Sequence, residues 1–250
     1  MIAEEALPEG FVLCQLDRVG STNDEVRRRA EAGAAPGLVV MAGQQTRGRG
    51  RHGRGWSSPA GNLYASVLLQ VAGSLAASAQ LSFVAGLALA DAIERHAPDG
   101  TVIRLKWPND VLIGSAKVAG ILLETVGAAP GGVIIGTGVN IVSCPGDTPY
   151  PATCLDAQGF APITPRALLG AYLAALDRWF RQWCESGFAP LRTAWCARSL
   201  GLGEEIRLRL EREDLLGRFV DVTASGALLL DLGAGGRREI AAGDVFYPDH

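Results

Sequence analysis

The stretch from Gln44 to Trp56, Gln-Gln-Thr-Arg-Gly-Arg-Gly-Arg-His-Gly-Arg-Gly-Trp, limits most strongly what this chain can build. It interleaves Arg47, Arg49, Arg51 and Arg54 with Gly48, Gly50, Gly53 and Gly55, and no acidic residue falls between Ala42 and Trp56. In a chain of net charge −3 such a run is a local anion trap, not part of a basic surface. Glycine lets backbone N–H groups approach a ligand closely, and arginine adds fork-shaped donors suited to phosphate and carboxylate. The run lies between two strand-like segments, Leu38 to Ala42 and Leu63 to Val71. The pattern predicts a hairpin with a long tip, and a long loop inside a compact domain is usually functional or disordered.

Two other readings of the block fail. An Arg-Gly segment that binds RNA would be long, repetitive and set in a wider basic surface with aromatics. This one is short and single, in a chain of pI near 5.7. Gly48, Gly50 and Gly53 also fit the dinucleotide pattern G-x-G-x-x-G, which requires a helix opening on the glycines. The segment Ser57 to Asn62 reads as a turn leading into a strand, so a nicotinamide or flavin site is excluded.

With 250 residues the chain is one large domain, or a large one plus a small one. No run approaches the ~20 apolar residues of a membrane span, and the acidic N-terminus is no secretion signal. Five cysteines (Cys14, Cys144, Cys154, Cys184, Cys196) without a Cys-x-x-Cys pair, and three histidines, support neither a disulfide framework nor a zinc site. Free thiols in a reducing cytoplasm are the expectation.

Along the chain, Phe11 to Leu16 reads as a strand. Ser21 with Asp24 resembles a capping box opening a helix to about Gly33. A helix N-terminus carrying Ser21, Thr22 and Asn23 is also a good seat for a polar ligand. Ser78 to His96 reads as a buried helix and Val102 to Lys106 as a strand, with a corner at Trp107-Pro108-Asn109-Asp110. Val111 to Ile113, Lys117 to Val126 and Val133 to Val142 read as strands. Gly136 and Gly138 weaken the last of these unless something must approach the backbone there. Lys117 stands alone in an apolar strand, a candidate for holding an anion. Cys144 to Pro165 reads as a loop, and Thr164 to Glu185 and Pro190 to Ser199 as helices. From Gly203 short strands follow (206–210, 216–222, 227–231, 237–240), suggesting a small β-barrel.

These clusters, in order and spacing, resemble the biotin–protein ligases. The resemblance rests on Ser21-Thr22-Asn23, the block Gly48 to Trp56, Lys106-Trp107-Pro108-Asn109-Asp110, Lys117-Val118-Ala119-Gly120-Ile121-Leu122 and Gly136-Thr137-Gly138-Val139-Asn140. It spans roughly Phe11 to Val142, weakens through the middle helices, and returns at Thr223 to Leu228 and Ala242 to Val245. It implies an α+β fold: a mixed β-sheet catalytic domain of the class II aminoacyl-tRNA synthetase and biotin-ligase type, with helices on one face. Residues 1–200 would form this domain and residues 201–250 a small C-terminal β-barrel.

The resemblance implies two reactions, adenylation of biotin by ATP with Mg²⁺ and transfer of biotin to a lysine of a biotin carboxyl carrier protein of acetyl-CoA or a related carboxylase. By motif match, Ser21, Thr22, Asn23 and Gln45 would hold biotin's head group. Arg49, Gly50 and Arg51 would cover biotin and the adenylate. Lys117 would hold the biotin carboxylate and later the acyl or phosphate oxygens. Arg49, Arg51, Arg54, Trp56, Lys106, Asn109, Lys117 and Asn140 would contact ATP or the adenylate, with Trp56 near the adenine. Lys117, Arg51 and Asp110 would be the catalytic group, Asp110 orienting or deprotonating the incoming amine. No metal ligands among protein side chains are implied. The expectation is a cytoplasmic monomer or homodimer that binds neither membrane nor specific nucleic acid. About ten residues before the first strand are too few for the helix-turn-helix that makes some family members repressors. His52 stands where arginine is common. A lipoate or octanoate ligase shares this fold and lysine, but the arginine–glycine and Lys-Trp-Pro-Asn-Asp blocks argue against it.

Overall fold

The computed structural model describes residues 7–71, 79–127, 131–148 and 150–247. The N-terminal acids at 4 and 5, the first residue of the expected 78–96 helix and part of the expected 127–132 turn lie outside them. Seven strands form a mixed sheet in the order β1-β2-β3-β7-β6-β5-β4. These are β1 (Val12–Val19), β2 (Leu38–Gln45), β3 (Leu63–Gln70), β4 (Ile103–Lys106), β5 (Asp110–Ile113), β6 (Ala116–Val126) and β7 (Gly132–Val139). Only β1 and β2 run parallel, which requires a crossover; helix α1 (Thr22–Glu31) supplies it. The expected hairpin around the arginine block is present: β2 and β3 pair antiparallel, with Ala42 opposite Tyr64.

β2, β3 and β7 are apolar without alternation, as strands covered on both faces are. Val39, Met41, Val67, Leu69, Val133 and Ile135 face the main core with α2 (Leu81–Glu94), α3 (Pro165–Ser186) and α4 (Ala189–Ala197). Leu38, Val40, Leu68 and Ile134 face the other way, against Val26 of α1. This corrects the expectation of helices on one face only, because a two-sided apolar sheet needs a cover on each side. α2 buries 12 of its 14 residues and so sits between sheet and helices. α3 starts as its sequence dictates: Thr164 Oγ1 accepts from Ala167 N–H at 3.1 Å, and Pro165 occupies the first turn.

The C-terminal segment holds β8 (Glu205–Arg209), β9 (Asp214–Val222), β10 (Leu228–Asp231), β11 (Arg237–Ile240) and β12 (Asp244–Phe246). All pair antiparallel in the order β11-β10-β9-β8-β12. The sheet is open, not the closed barrel expected. Its end strands are only four and three residues long and share no ladder. β12 is absent from the sequence reading, since three residues carry too little pattern. Ile206, Leu208, Phe219 and Leu230 join the buried cluster that α2, α3 and α4 form with the main sheet. No helix among the described residues is long and apolar enough to cross a membrane.

Candidate functional site

The site is a cavity of about 220 Å³ on the α1 face of the sheet, and every site residue singled out from the sequence lines it. Its floor is glycine. Gly136 opposes Leu122 on β6 and Gly138 opposes Gly120, so neighbouring positions of one sheet face lie bare. A Cβ on Gly136 would meet Asn23 Oδ1 at 2.2 Å, and one on Gly138 would meet Trp56 Nε1 at 2.5 Å. The glycines that weaken the strand are therefore required by what lies on it.

One wall is the N-terminus of α1. Ser21, Thr22 and Asn23 are buried. Ser21 takes the N-cap position, but its side chain makes no cap hydrogen bond. The expected capping box is absent because Asp24 instead pairs with Arg49 at 2.7 Å. Thr22 N–H and Oγ1 donate to Gln45 Oε1 at 2.9 and 3.2 Å, and Gln45 Nε2 donates to Ser58 Oγ at 3.0 Å. Ser66 Oγ lies 2.7 Å from Thr22 Oγ1 and 2.6 Å from Asn23 Oδ1. This network fixes the wall yet leaves Asn23 Nδ2 and Trp56 Nε1 buried without a partner. Two free donors in a cavity fit a ligand that presents acceptors.

The arginine block folds back on itself, with Arg49 and Gly55 bridged and a 3₁₀ turn at Arg51–Gly53. His52 at the turn has φ 54°, the left-handed region. The arginines do different things. Arg49 is committed to carboxylates: it donates to Glu124 at 2.9 to 3.0 Å and pairs with Asp24. Asp24 is held below the usual carboxylate range by that hydrogen bond, and Arg49 is raised by the same contact. Arg27 joins Glu124 at 3.1 Å. Arg51 donates to Gly243 O at 3.3 Å, and burial pushes its guanidinium below the ordinary value. Arg54 pairs with Asp244 at 2.9 Å. The loop thus spans from β6 and α1 to the C-terminal sheet.

Opposite the loop, β4 and β5 present the Lys-Trp-Pro-Asn-Asp corner. Lys117 Nζ is 2.6 Å from Asp110 Oδ1, a charge contact without hydrogen-bond alignment, and 5.4 Å from the Trp56 ring. Lys106, paired across the ladder with Asp110, is buried over the rings of Tyr150 (4.4 Å) and Tyr247 (5.4 Å). Burial lowers its ammonium to about 8. Asn109 and Asn140 spend amide hydrogens on backbone: Asn109 Nδ2 donates to Ile121 O at 2.7 Å, and Asn140 Nδ2 to Thr153 O at 3.0 Å. Trp107 Nε1 donates to Gly226 O, tying the corner to the C-terminal segment.

Sequence reasoning missed Ser58, Ser66, Glu124, Tyr150 and Asp244. Ser66 and Glu124 carried a signal, a polar residue in an apolar strand. Tyr150 carried none, and Asp244 stood in the Ala242 to Val245 motif with no site role, because only the packing of distant segments brings them here. Among the described residues no three His, Cys, Asp or Glu side chains gather as a metal site.

A mixed sheet with a glycine floor, a polar helix end and a cationic cover defines an α+β protein with a cavity whose lining suits a small, partly anionic ligand. The Biotin/lipoate A/B protein ligase family model matches residues 16–140, and the Biotin protein ligase C terminal domain model matches residues 201–247. The Biotin–[acetyl-CoA-carboxylase] ligase of Paracoccus denitrificans is 42% identical over 241 residues, covering 93% of this chain and 99% of that protein. That of Mycobacterium tuberculosis is 37% identical, covering 93% and 89%. The Aquifex aeolicus biotin protein ligase solved with biotin and ATP matches at a TM-score of 0.79 and 30% identity, over 94% and 97% of the two chains. The chain belongs to the biotin protein ligase family.

Proposed function

We propose that this chain attaches biotin to a lysine of a biotin carboxyl carrier protein, using ATP and passing through biotinyl-5′-adenylate. The observation that carries the reading is Lys117: its amine lies beside the glycine floor, against Trp56, in a cavity covered by arginines. In the first step the biotin carboxylate attacks the α-phosphorus of ATP and pyrophosphate leaves. Two anions must meet, so Lys117 and Arg51 lower the barrier by neutralising both. In the second step the acceptor lysine's amine attacks the acyl carbon of the mixed anhydride and AMP leaves.

The individual roles follow from local chemistry. Ser21, Thr22, Asn23 and Gln45 hold the neutral head group, with Asn23 Nδ2 as the free donor. Arg51 and Gly50 cover the adenylate and keep water from it. Arg49 is the loop's inner anchor, since its guanidinium is taken up by Asp24 and Glu124. Trp56, Arg54 and Lys106 bound the nucleotide space, and Asn109 and Asn140 keep its walls in register. Asp110 orients the incoming amine. The carboxylates in the cavity, Asp110 and Asp244, are each paired with a cation. That donor set does not make a cage for Mg²⁺, which fits here as the counterion of the triphosphate.

The unit divides at about residue 200 into a catalytic part, 1–200, and a C-terminal part, 201–250. It works in the cytoplasm, as a monomer or homodimer. The test is pyrophosphate release from ATP with biotin, with lipoate and with neither. The expected result is biotin-dependent release that falls at least ~100-fold in Lys117→Ala, about 3 kcal/mol of barrier. Release with lipoate alone would move the chain to the lipoate branch.

A further inference from the structure

Of the 23 lysine and arginine residues in this chain, only Lys106 and Lys117 are lysines. Both line the cavity in which, on the function just proposed, an amine-reactive acyl adenylate forms. The other 21 are arginines, whose guanidinium is always protonated and no nucleophile toward an anhydride. Apart from the α-amine, the chain's own acylable amines are therefore confined to its active site.

The two amines differ in freedom. Lys117 Nζ is 2.6 Å from Asp110. Lys106 has no carboxylate within ion-pair distance among the described residues. It lies across the strand ladder from Asp110, over two tyrosine rings. An ammonium held by ring faces and lowered to about 8 by burial exists in substantial part as the neutral amine in mildly alkaline solution.

We propose that Lys106 is the site at which this enzyme acylates itself when no acceptor protein is present. The lone pair on Lys106 Nζ attacks the acyl carbon of biotinyl-5′-adenylate. The carbon–oxygen bond to the phosphate breaks and AMP departs. The proton released from nitrogen passes to water or to Asp110, and an amide remains in the cavity. The adduct fills the site, so each chain modifies itself once and stops.

The test incubates the full chain with biotin and ATP, without acceptor, and separately with chemically prepared biotinyl-5′-adenylate. Intact mass and peptide mapping are read together with pyrophosphate release. The expected result is one biotinyl group per chain, on the peptide holding Lys106, forming at least ~10-fold faster at pH 8.5 than at pH 6.5 and suppressed by acceptor. Lys106→Arg given prepared adenylate should lose the adduct, which removes any dependence on the first step. An adduct on Lys117 or the α-amine, or none with prepared adenylate, overturns the proposal. Absence of pyrophosphate release with an adduct from prepared adenylate would instead count against the adenylation reading and leave Lys106 standing.

Discussion

At the scale of single residues, the site is decided by atoms that are missing. Gly136 and Gly138 leave room for Asn23 and Trp56, and no side chain can share that room. Gly138→Ala is expected to displace Trp56 and weaken ATP binding by at least ~10-fold while the chain still folds, an overpacking cost of about 1–3 kcal/mol. Calorimetric titration with a parallel thermal melt checks both parts. Lys106 gives a pH signature. Its folded-state value, about 8, lies below the ordinary 10.5. Between those two values the unfolded chain holds a proton that the folded chain has lost, so stability rises with pH across this window. Wild type should gain on Lys106→Met by up to about 3 kcal/mol between pH 7.5 and pH 10 in denaturant unfolding. An unchanged difference would mean the ammonium is not desolvated. The sequence revealed the two glycines because each breaks its strand's pattern, and Lys106 through the Lys-Trp-Pro-Asn-Asp block.

At the scale of elements, the arginine block works as a strap with two anchors. Its inner end is tied by Arg49 to Asp24 of α1 and Glu124 of β6, its outer end by Arg51 and Arg54 to Gly243 and Asp244. Glu124→Gln removes a charge shared by Arg49 and Arg27. Trypsin, which cuts after arginine, should then cleave between Arg47 and Arg54 at least ~5-fold faster than in wild type. Biotin with ATP should slow cleavage in both. Equal cleavage rates would show that the anchor does not hold the strap. The block, its flanking strands and its bare floor were all legible in the sequence. The anchors were not, because a salt bridge joins residues whose separation along the chain carries no periodicity.

For the whole molecule, the C-terminal sheet is less separable than its sequence suggests. Ile206, Leu208, Phe219 and Leu230 belong to the same buried cluster as α2, α3 and α4. Trp107 and Gly226 are hydrogen-bonded across the junction. A chain ending at Leu200 should lose cooperative unfolding and enter inclusion bodies, and the full chain should melt in one transition by calorimetry. The short strand-like runs from Gly203 announced the segment, but its open sheet and shared core depended on contacts no local pattern encodes. The strand order also has a temporal side. β7 pairs with β3, Leu63 opposite Val139 and Gln70 opposite Gly132, so a ladder at the centre of the sheet joins segments made far apart in synthesis. A ribosome has finished the arginine strap, and the hairpin that carries it, well before the glycines it will cover exist. Biotin can therefore give no help to the emerging N-terminal half. On the proposed function, stabilisation by biotin is expected only after Val139 has left the exit tunnel and the β6–β7 hairpin has docked.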